Sequence, residues 1–455
     1  MSQIQILEQR AKWPLLEPRF AEMKKSIIKP EHRQKVIESY KQLLDTLKTE
    51  AEFIANKGPV IVPEVDFELV RENGGNIPTS LINLIKDRGC VIIRNVVSEE
   101  QAMRWEAELR NYTKVHSGVG GFPKENPQNW SLWWTKPQVE IRSHERILEA
   151  MKAVSKLWHV SDQSAPIDLT TQVTYPDRFR IRYPSKEKEY TLDAHLDSGS
   201  IERWEDPTYR ECYRSIFNGN WVDYDAWSAD GRINAQTDLY HLGGNCSCWR
   251  SMQGWLSLSH TGTGEGTLRL LPSLKASTAY LMLRPFFLNG PDSFDDAQPT
   301  FPGAHPGQTQ LLPTEELHPH LEMGRTVIGI PPVKPGDYVF WHCDLIHEVD
   351  KLHPGTRDSS VVYNACTPLV PYNIDSLSNT REAFLAAEPP RDFAKVDIGE
   401  TERMHKDNGA RREYILSQEG NRAMGFAQFD VDEPGITEGQ RKVRQMANSI
   451  LHDVV

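Results

Sequence analysis

The chain has 455 residues, of which 38% are hydrophobic and 25% charged, and its formal net charge at pH 7 is -11. These proportions are ordinary for a globular protein with a large core, and an acidic chain without a basic stripe is a poor candidate for binding nucleic acid. No segment has the length of a membrane span, and the first residues lack the apolar run of a signal peptide. The six cysteines form no CxxC pair, so we expect reduced thiols and a cytoplasmic location.

The first sixty residues are predicted to form a helical arm. Pro30 can begin a helix, apolar residues then recur at helical spacing, and Gly58 follows the end. The recurring residues are Ile37, Tyr40, Leu44 and Leu47. Two roles fit this pattern: packing on the main body of the protein, or binding a partner or a second copy of the chain.

Two short segments follow the arm. Residues 90–97 are apolar and β-branched, which is typical of a strand, and Ser98 to Gln101 has the sequence of a capping box that begins a helix. Further along, Gln138, Glu140 and Arg142 alternate in a run that we interpret as strand-like. A strand would place these three side chains on one face.

From about residue 168 the chain consists of short β-like runs between turns that contain proline and glycine. The runs are 169–175, 178–183, 254–259, 267–271, 326–330, 338–342 and 359–366. Strands without alternating helices favour a mainly β core of jelly-roll or barrel type, within an α+β chain that carries helices at both ends. Two insertions, 201–248 and 289–324, are long enough to act as lids. We therefore expect one catalytic domain over residues 61–455, with helices over 376–455.

The sharpest local motif is His195-Leu196-Asp197. Residues i and i+2 of a strand face the same side, so the imidazole and the carboxylate point together. Two histidines and one carboxylate form the facial triad that holds non-haem Fe(II) and leaves positions open for cosubstrates. An HxD alone is a common chance pair, and a third ligand is needed.

Two histidines can supply this third ligand. The Pro335-Gly336-Asp337 turn precedes an apolar run, 338–341, that can enter a core and is followed by His342 and His347. The histidine that does not bind the metal can support the metal site or face the substrate.

Arg357 and Ser359 complete the pattern. They follow His347 at a short distance and again stand at i and i+2. A guanidinium fork with a hydroxyl donor can bind a carboxylate. The distal carboxylate of 2-oxoglutarate, whose other end chelates the metal, needs an anchor of this kind.

The combination HxD, His and RxS resembles the Fe(II)/2-oxoglutarate-dependent dioxygenase superfamily, and within it the phytanoyl-CoA hydroxylase-like members. The chain is similar to the YbiU-type proteins of bacteria and fungi. The segments that carry this likeness are 134–144, 253–287 and 336–347. The resemblance implies a double-stranded β-helix core of jelly-roll, cupin-like type.

The resemblance also implies the ligands and the cofactors. Spacing from the Gly336-Asp337 turn then favours His347 over His342, so that His195, Asp197 and His347 bind Fe(II), while Arg357 and Ser359 bind 2-oxoglutarate. Dioxygen is the other cosubstrate. The expected reaction is a hydroxylation, desaturation or ring closure that releases succinate and CO2.

The substrate expected from the acidic surface and the two insertions is a small, polar, carboxylate-bearing molecule such as an amino acid. Candidate substrate residues are Arg180, Arg182, Arg250, Gln253 and His342. Two alternatives have different chemistry. One is a cupin-like metal enzyme that does not use 2-oxoglutarate, and the other is a non-catalytic binding protein on the same fold.

Overall fold

The computed structural model describes residues 15–187, 192–395 and 399–451. Its helices are α1 (Arg19–Ile27), α2 (Arg33–Lys57), α3 (Phe67–Glu72), α4 (Thr79–Arg88), α5 (Glu99–Val115), α6 (Lys136–Ser143), α7 (Glu145–Ser155), α8 (Glu202–Glu205), α9 (Pro207–Glu211), α10 (Arg214–Phe217), α11 (Leu274–Leu283), α12 (Met323–Thr326), α13 (Pro371–Ala386), α14 (Gln418–Ala423) and α15 (Glu438–Ile450). Short 3-10 helices lie at Pro30–His32, Gly58–Ile61, Trp221–Asp223, Arg284–Phe286, Pro319–Leu321, Arg391–Phe393, Glu402–Met404 and Arg412–Tyr414.

The strands are β1 (Glu64–Asp66), β2 (Cys90–Arg94), β3 (Gly121–Phe122), β4 (Asn129–Trp130), β5 (Asp168–Gln172), β6 (Phe179–Arg182), β7 (Met252–Ser257), β8 (Leu268–Leu270), β9 (Ile328–Gly329), β10 (Tyr338–His342), β11 (His347–Val349), β12 (Ser359–Tyr363) and β13 (Pro368–Leu369). All seven β-like runs predicted after residue 168 contain a strand, and so does 90–97. These strand predictions are confirmed, and the fold is α+β.

The largest sheet within the described residues has eight strands in the order β1-β2-β10-β7-β12-β6-β4-β3. Its centre is antiparallel: β10 pairs with β7, β7 with β12, and β12 with β6. The register places Gln253 opposite Trp341 and Arg180 opposite Val361. Because side chains alternate along a strand, Gln253 and Trp255 share one face of the sheet.

A smaller sheet, β11-β8-β9, is extended by the HxD segment. His195 forms an antiparallel bridge with His347 of β11, and Leu196 bridges Leu311 of the second insertion. Segments that follow one another along the chain therefore alternate between the two sheets. β6 and β7 belong to the large sheet, and the His195 segment and β8 belong to the small one.

The N-terminal helices pack on the same core as the sheets. Tyr40 of α2 is buried and stacks on Phe287, with ring centroids 4.0 Å apart, and α2 packs against α11. Over residues 15–60, the predicted helical arm therefore packs on the main body of the protein. Residues 1–14 lie outside the described residues. None of the described helices combines the length and apolar character that a bilayer-spanning segment requires.

The segment that contains Gln138, Glu140 and Arg142 is a helix, α6, and the predicted strand there is wrong. The Gln138 side chain accepts hydrogen bonds from the backbone N–H and the hydroxyl of Thr135, at 3.4 and 2.8 Å. This capping arrangement satisfies groups that a helix start leaves open and fixes the first turn. Gln138 and Arg142 are buried in the core.

Candidate metal site and pocket

His195 and His347 lie side by side at the junction of the HxD segment and β11. Their ring centroids are 4.2 Å apart, and both side chains are buried. The Nδ1 atom of His195 lies 2.6 Å from the carbonyl oxygen of Asp193. The Nδ1 atom of His347 lies 3.0 Å from the carbonyl oxygen of Leu345. An Nδ1–H that donates to a carbonyl fixes the tautomer and leaves Nε2 as the basic nitrogen of the ring.

Asp197 faces both Nε2 atoms. Its Oδ1 is 3.6 Å from Nε2 of His195, and its Oδ2 is 3.7 Å from Nε2 of His347. One donor atom of each residue lies within 4.8 Å of the others. Burial opposes ionisation of Asp197, but the two histidines and Arg250 outweigh it and hold its pKa well below the usual range. Two imidazoles and an ionised carboxylate have the donor chemistry to bind a divalent transition metal.

Two further residues orient the Asp197 side chain. Gln310 donates from Nε2 to Oδ1 at 2.7 Å, and the Nη2 atom of Arg250 lies 3.4 Å from Oδ2. Gln310 belongs to the second insertion and pairs with Gly199 through a β-bridge. The insertion therefore supplies a contact that sets the position of a candidate metal ligand.

The three candidate ligands line a cavity of about 140 Å³. Polar side chains around it include Asp177, Arg178, Arg180, Arg250 and Gln253, while Trp255, Trp341, Leu268 and Val349 provide apolar walls. Within the described residues, Arg180 Nε, Arg250 Nε, Gln253 Nε2 and Trp341 Nε1 are buried and have no hydrogen-bond partner. Buried donors are normally satisfied, so these atoms suit a polar ligand or ordered water in the cavity.

Arg357 does not line this cavity. Its side chain is 59% exposed, and its Nη2 atom lies 3.9 Å from Oε1 of Glu265. The reason is positional, since β12 begins only at Ser359 and Arg357 belongs to the preceding loop. Ser359 is buried, and its hydroxyl has no hydrogen-bond partner among the described residues. Ser359 pairs with Arg182 within the sheet, whereas Arg357 lies in the exposed loop before it. The two members of the RxS motif therefore have different surroundings.

The predicted substrate residues are divided between the cavity and the core. Arg180, Arg250 and Gln253 line the cavity. Arg182 is buried outside the cavity lining and donates to the carbonyl of Asp350.

His342 is also outside the cavity lining. Its ring stacks on Trp158 with centroids 4.7 Å apart, its Nδ1 accepts from the Asp344 amide at 3.0 Å, and its Nε2 lies 2.9 Å from the Ala226 carbonyl. Burial lowers the pKa of His342 to about 4, so the ring is neutral near pH 7. His342, Cys343 and Asp344 could geometrically hold a metal, but Asp344 is already paired with Arg232 at 2.5 Å.

Several cavity residues were not predicted from the sequence. Asp177 and Tyr175 precede β6, Gln310 comes from an insertion, and Cys246 stands at the end of the other insertion. Only Cys246 had a local signal, because it forms a CxC pair with Cys248. The others are brought together by tertiary contacts that no spacing rule encodes.

Comparison with known proteins places the chain in a family. Residues 14–426 match the Gig2-like family. The protein YbiU of Escherichia coli (strain K12) is 29% identical over 374 residues, which are 79% of this chain and 86% of YbiU. The crystal structure of GlcNAc Inducible Gene 2, GIG2 (DUF1479), from Candida albicans is 40% identical and superposes with a TM-score of 0.88, covering 97% of this chain and 96% of that one.

A protein from Salmonella typhimurium LT2, provisionally described as an oxidoreductase, is 27% identical with a TM-score of 0.75 and covers 89% of this chain and 96% of its own. The match to YbiU confirms the likeness to YbiU-type proteins. Because the family match spans most of the sequence, the chain belongs to the Gig2-like family.

Proposed function

We propose that this chain is an Fe(II)- and 2-oxoglutarate-dependent oxygenase that oxidises a small, polar, carboxylate-bearing metabolite such as an amino acid. The observation that carries the proposal is the cluster of His195, Asp197 and His347 at the wall of a cavity, with one donor atom of each within 4.8 Å. Two histidines and one carboxylate are the ligand set of non-haem Fe(II) oxygenases.

The strand order supports a double-stranded β-helix core. Strands β10, β7, β12 and β6 are neighbours in one sheet, and the His195 segment, β11, β8 and β9 form the other. Successive segments mostly alternate between the two sheets, as jelly-roll strands do. The candidate ligands belong to the small sheet, and Gln253 and Trp341 extend from the large sheet to the same cavity.

The residues fit the proposed cofactor. Both histidines present basic Nε2 nitrogens because their Nδ1 atoms engage carbonyl oxygens, and Asp197 is ionised. Bound Fe(II), with 2-oxoglutarate and dioxygen, would supply an oxidant able to remove hydrogen from the substrate, with release of succinate and CO2. The protein holds Asp197 through Gln310 and Arg250 and shields the site with the tryptophan walls.

For the distal carboxylate of 2-oxoglutarate, Arg180 is a better candidate than Arg357. Arg180 lines the cavity and donates from Nη2 to the Gly266 carbonyl at 3.0 Å, which fixes the guanidinium. Its buried Nε lacks a partner among the described residues and can donate to an anion. Arg357 is exposed and faces Glu265 instead. A partly buried guanidinium with a shielded Nε contributes more to carboxylate binding than an exposed one, because water competes less.

The charge pattern of the cavity supports a polar substrate. Arg178 and Asp177 lie next to each other, with Nε 3.3 Å from Oδ1, and both line the cavity. The guanidinium of Arg250 stacks over Tyr175 at 5.2 Å. Neighbouring charges of opposite sign can bind the ammonium and carboxylate groups of an amino acid, and a cavity of this size admits only a small molecule.

One observation favours a second candidate function. Arg357 is exposed, so the sequence motif that pointed to 2-oxoglutarate does not form the expected binding site. The second candidate is a cupin-like metal enzyme that does not use 2-oxoglutarate, and it needs only the three metal ligands. Only the first function releases succinate and CO2 from 2-oxoglutarate, so succinate distinguishes the two.

The test is succinate formation by the Fe(II)-loaded protein with 2-oxoglutarate, ascorbate and oxygen, measured across a panel of amino acids, other small carboxylic acids, acyl-CoA thioesters and peptides. The proposal predicts substrate-stimulated succinate that the Asp197→Ala variant does not form. Metal-dependent conversion of a panel member without succinate would favour the second candidate. Stimulation by acyl-CoA thioesters or peptides alone would contradict the proposed substrate class.

A further inference from the structure

Two cysteines lie close together beside the cavity. Cys246 and Cys248 are both buried, and their Sγ atoms are 3.7 Å apart. Cys246 lines the cavity, whereas Cys248 is fully buried and is not part of the lining. Among the described residues, no other pair of cysteines is within hydrogen-bonding distance through sulfur.

The surrounding contacts hold this pair in place. The Thr237 hydroxyl donates to the Cys246 carbonyl at 2.7 Å, and the Ser247 amide donates to Asp392 at 2.9 Å. The Gly244 amide donates to the Asp392 carbonyl at 2.6 Å, so the start of this segment is tied to the same residue.

The environment favours a reactive sulfur at Cys246. Burial would raise the pKa of the Cys246 thiol, but the hydrogen bond from Cys248 and the positive charge of Arg250 outweigh burial and lower that pKa. Cys248 has the opposite tendency: burial and the neighbouring Cys246 raise the pKa of its thiol. The thiolate is the nucleophilic form of cysteine, so Cys246 is suited to attack an oxidant. Cys248 is suited to react afterwards, as a thiol, with the oxidised Cys246.

We propose that Cys246 and Cys248 form a peroxide-reactive dithiol that converts reversibly into an intrachain disulfide in the cavity wall. The Cys246 thiolate attacks one oxygen of a hydroperoxide, forms an S–O bond and breaks the O–O bond, and the leaving oxygen takes a proton. The Cys248 thiol then displaces water from the resulting sulfenic acid, which forms the S–S bond. The thiols lose two electrons in total, and the hydroperoxide gains them.

The disulfide would change the cavity. Sulfur atoms in a disulfide are about 2.0 Å apart, so the two side chains must approach from their present separation. Cys246 lines the cavity, so this approach would change the cavity wall at its side chain. Cys246 also lies near Arg250, whose Nη2 atom is 3.4 Å from Oδ2 of Asp197.

The chain offers a direct readout. Trypsin is expected to release residues 233–250 as one peptide that contains Cys246 and Cys248 and none of the other cysteines. The intact 455-residue chain is treated with hydrogen peroxide, alkylated and digested, and the mass of this peptide is measured. We expect a non-alkylated peptide lighter by two hydrogen atoms, which dithiothreitol restores to the doubly alkylated form. Cys366, buried in the core outside the cavity lining, is the matched control in a separate peptide.

A variant separates the two steps. In Cys248→Ser, the resolving thiol is absent, so dimedone should trap a sulfenic acid at Cys246 roughly ten-fold or more faster than at Cys366. A peptide that stays doubly alkylated after peroxide treatment of the wild-type protein would overturn the proposal. Oxidation of Cys246 at the same rate as Cys366, or direct passage to sulfinic acid without a disulfide, would overturn it as well.

Discussion

His195 and His347 are hydrogen-bonded to each other through their backbones in both directions. The His195 amide donates to the His347 carbonyl at 2.9 Å, and the His347 amide donates to the His195 carbonyl at 3.1 Å. This pair of bonds fixes the relative position of two residues that are distant in the chain. Their imidazoles are therefore held together by the sheet itself, before any metal binds.

The first prediction concerns the metal ligands. We expect iron to be lost from each of the variants His195→Ala, Asp197→Ala and His347→Ala. Each variant keeps two of the three ligands, and two ligands bind a divalent ion far more weakly than three. Iron content per chain is measured on purified, folded variants. His342→Ala is the contrast: it should keep its iron while losing roughly 2–4 kcal/mol of unfolding free energy, because a buried, stacked ring is removed. An iron-free His342→Ala beside an iron-replete His347→Ala would reverse the assignment.

The second prediction distinguishes Arg180 from Arg357. Arg180→Ala should raise the KM for 2-oxoglutarate about 10- to 100-fold, because a charge-assisted hydrogen bond in a shielded cavity is lost. Arg357→Ala should change it by less than about two-fold, because an exposed ion pair contributes little. The opposite ranking of the two variants would restore Arg357 as the anchor.

Gln310 provides the third prediction. Its amide donates to Asp197 at 2.7 Å, so Gln310→Ala should weaken metal affinity by roughly 10- to 100-fold without removing a ligand. Gln308 is on the same segment and contacts Ser200 instead, so Gln308→Ala is the matched control. Both affinities are measured by competition with a metal chelator. Equal affinities of the two variants would show that the Gln310 contact does not support the metal site.

The fourth prediction is a pH dependence. Glu402 is buried and accepts hydrogen bonds from the amides of Trp133 and Trp134, and burial raises its pKa from 4.5 to about 7. Between these pH values the folded chain retains a proton that the unfolded chain releases. This contribution to the unfolding free energy therefore falls as pH rises, by a total of about 3 kcal/mol.

Glu402→Gln keeps an oxygen acceptor and carries no charge, so we expect it to unfold at higher denaturant concentration than wild type at pH 8 and at a similar one at pH 5. Glu413→Gln, at a side chain that is 67% exposed, is the control and should follow the wild-type profile. Parallel pH profiles for wild type and Glu402→Gln would contradict the shifted pKa.

Local patterns in the sequence predict much of the β core. The run before His342 is β10, and the arginines at 180 and 182 lie on β6, because strands there are short, apolar or alternating and bounded by turns. The same reasoning failed at residues 136–143. The alternation of Gln138, Glu140 and Arg142 suggested a strand. Thr135 and Gln138 have the spacing of a helix cap, and the cap determines the local structure.

The candidate site was predicted less completely than the strands. Spacing selected His195 and Asp197 as a same-face pair, and the family resemblance selected His347 over His342. The structure brings His195, Asp197 and His347 together. Spacing could not predict the residue at which β12 begins. Because β12 begins at Ser359, Arg357 belongs to the preceding loop. Contacts from the insertions, such as Gln310 to Asp197, depend on tertiary packing alone.

The most direct test of the proposed function is an anaerobic titration of the Fe(II)-loaded protein with 2-oxoglutarate, followed by visible absorption. Chelation of ferrous iron by the 2-oxo acid produces a weak charge-transfer band, and oxygen is not needed for it. We expect the band to saturate at one 2-oxoglutarate per iron in the wild-type protein and to be absent in Asp197→Ala. A protein that holds one iron at His195, Asp197 and His347 and shows no band at any 2-oxoglutarate concentration would contradict the proposed function.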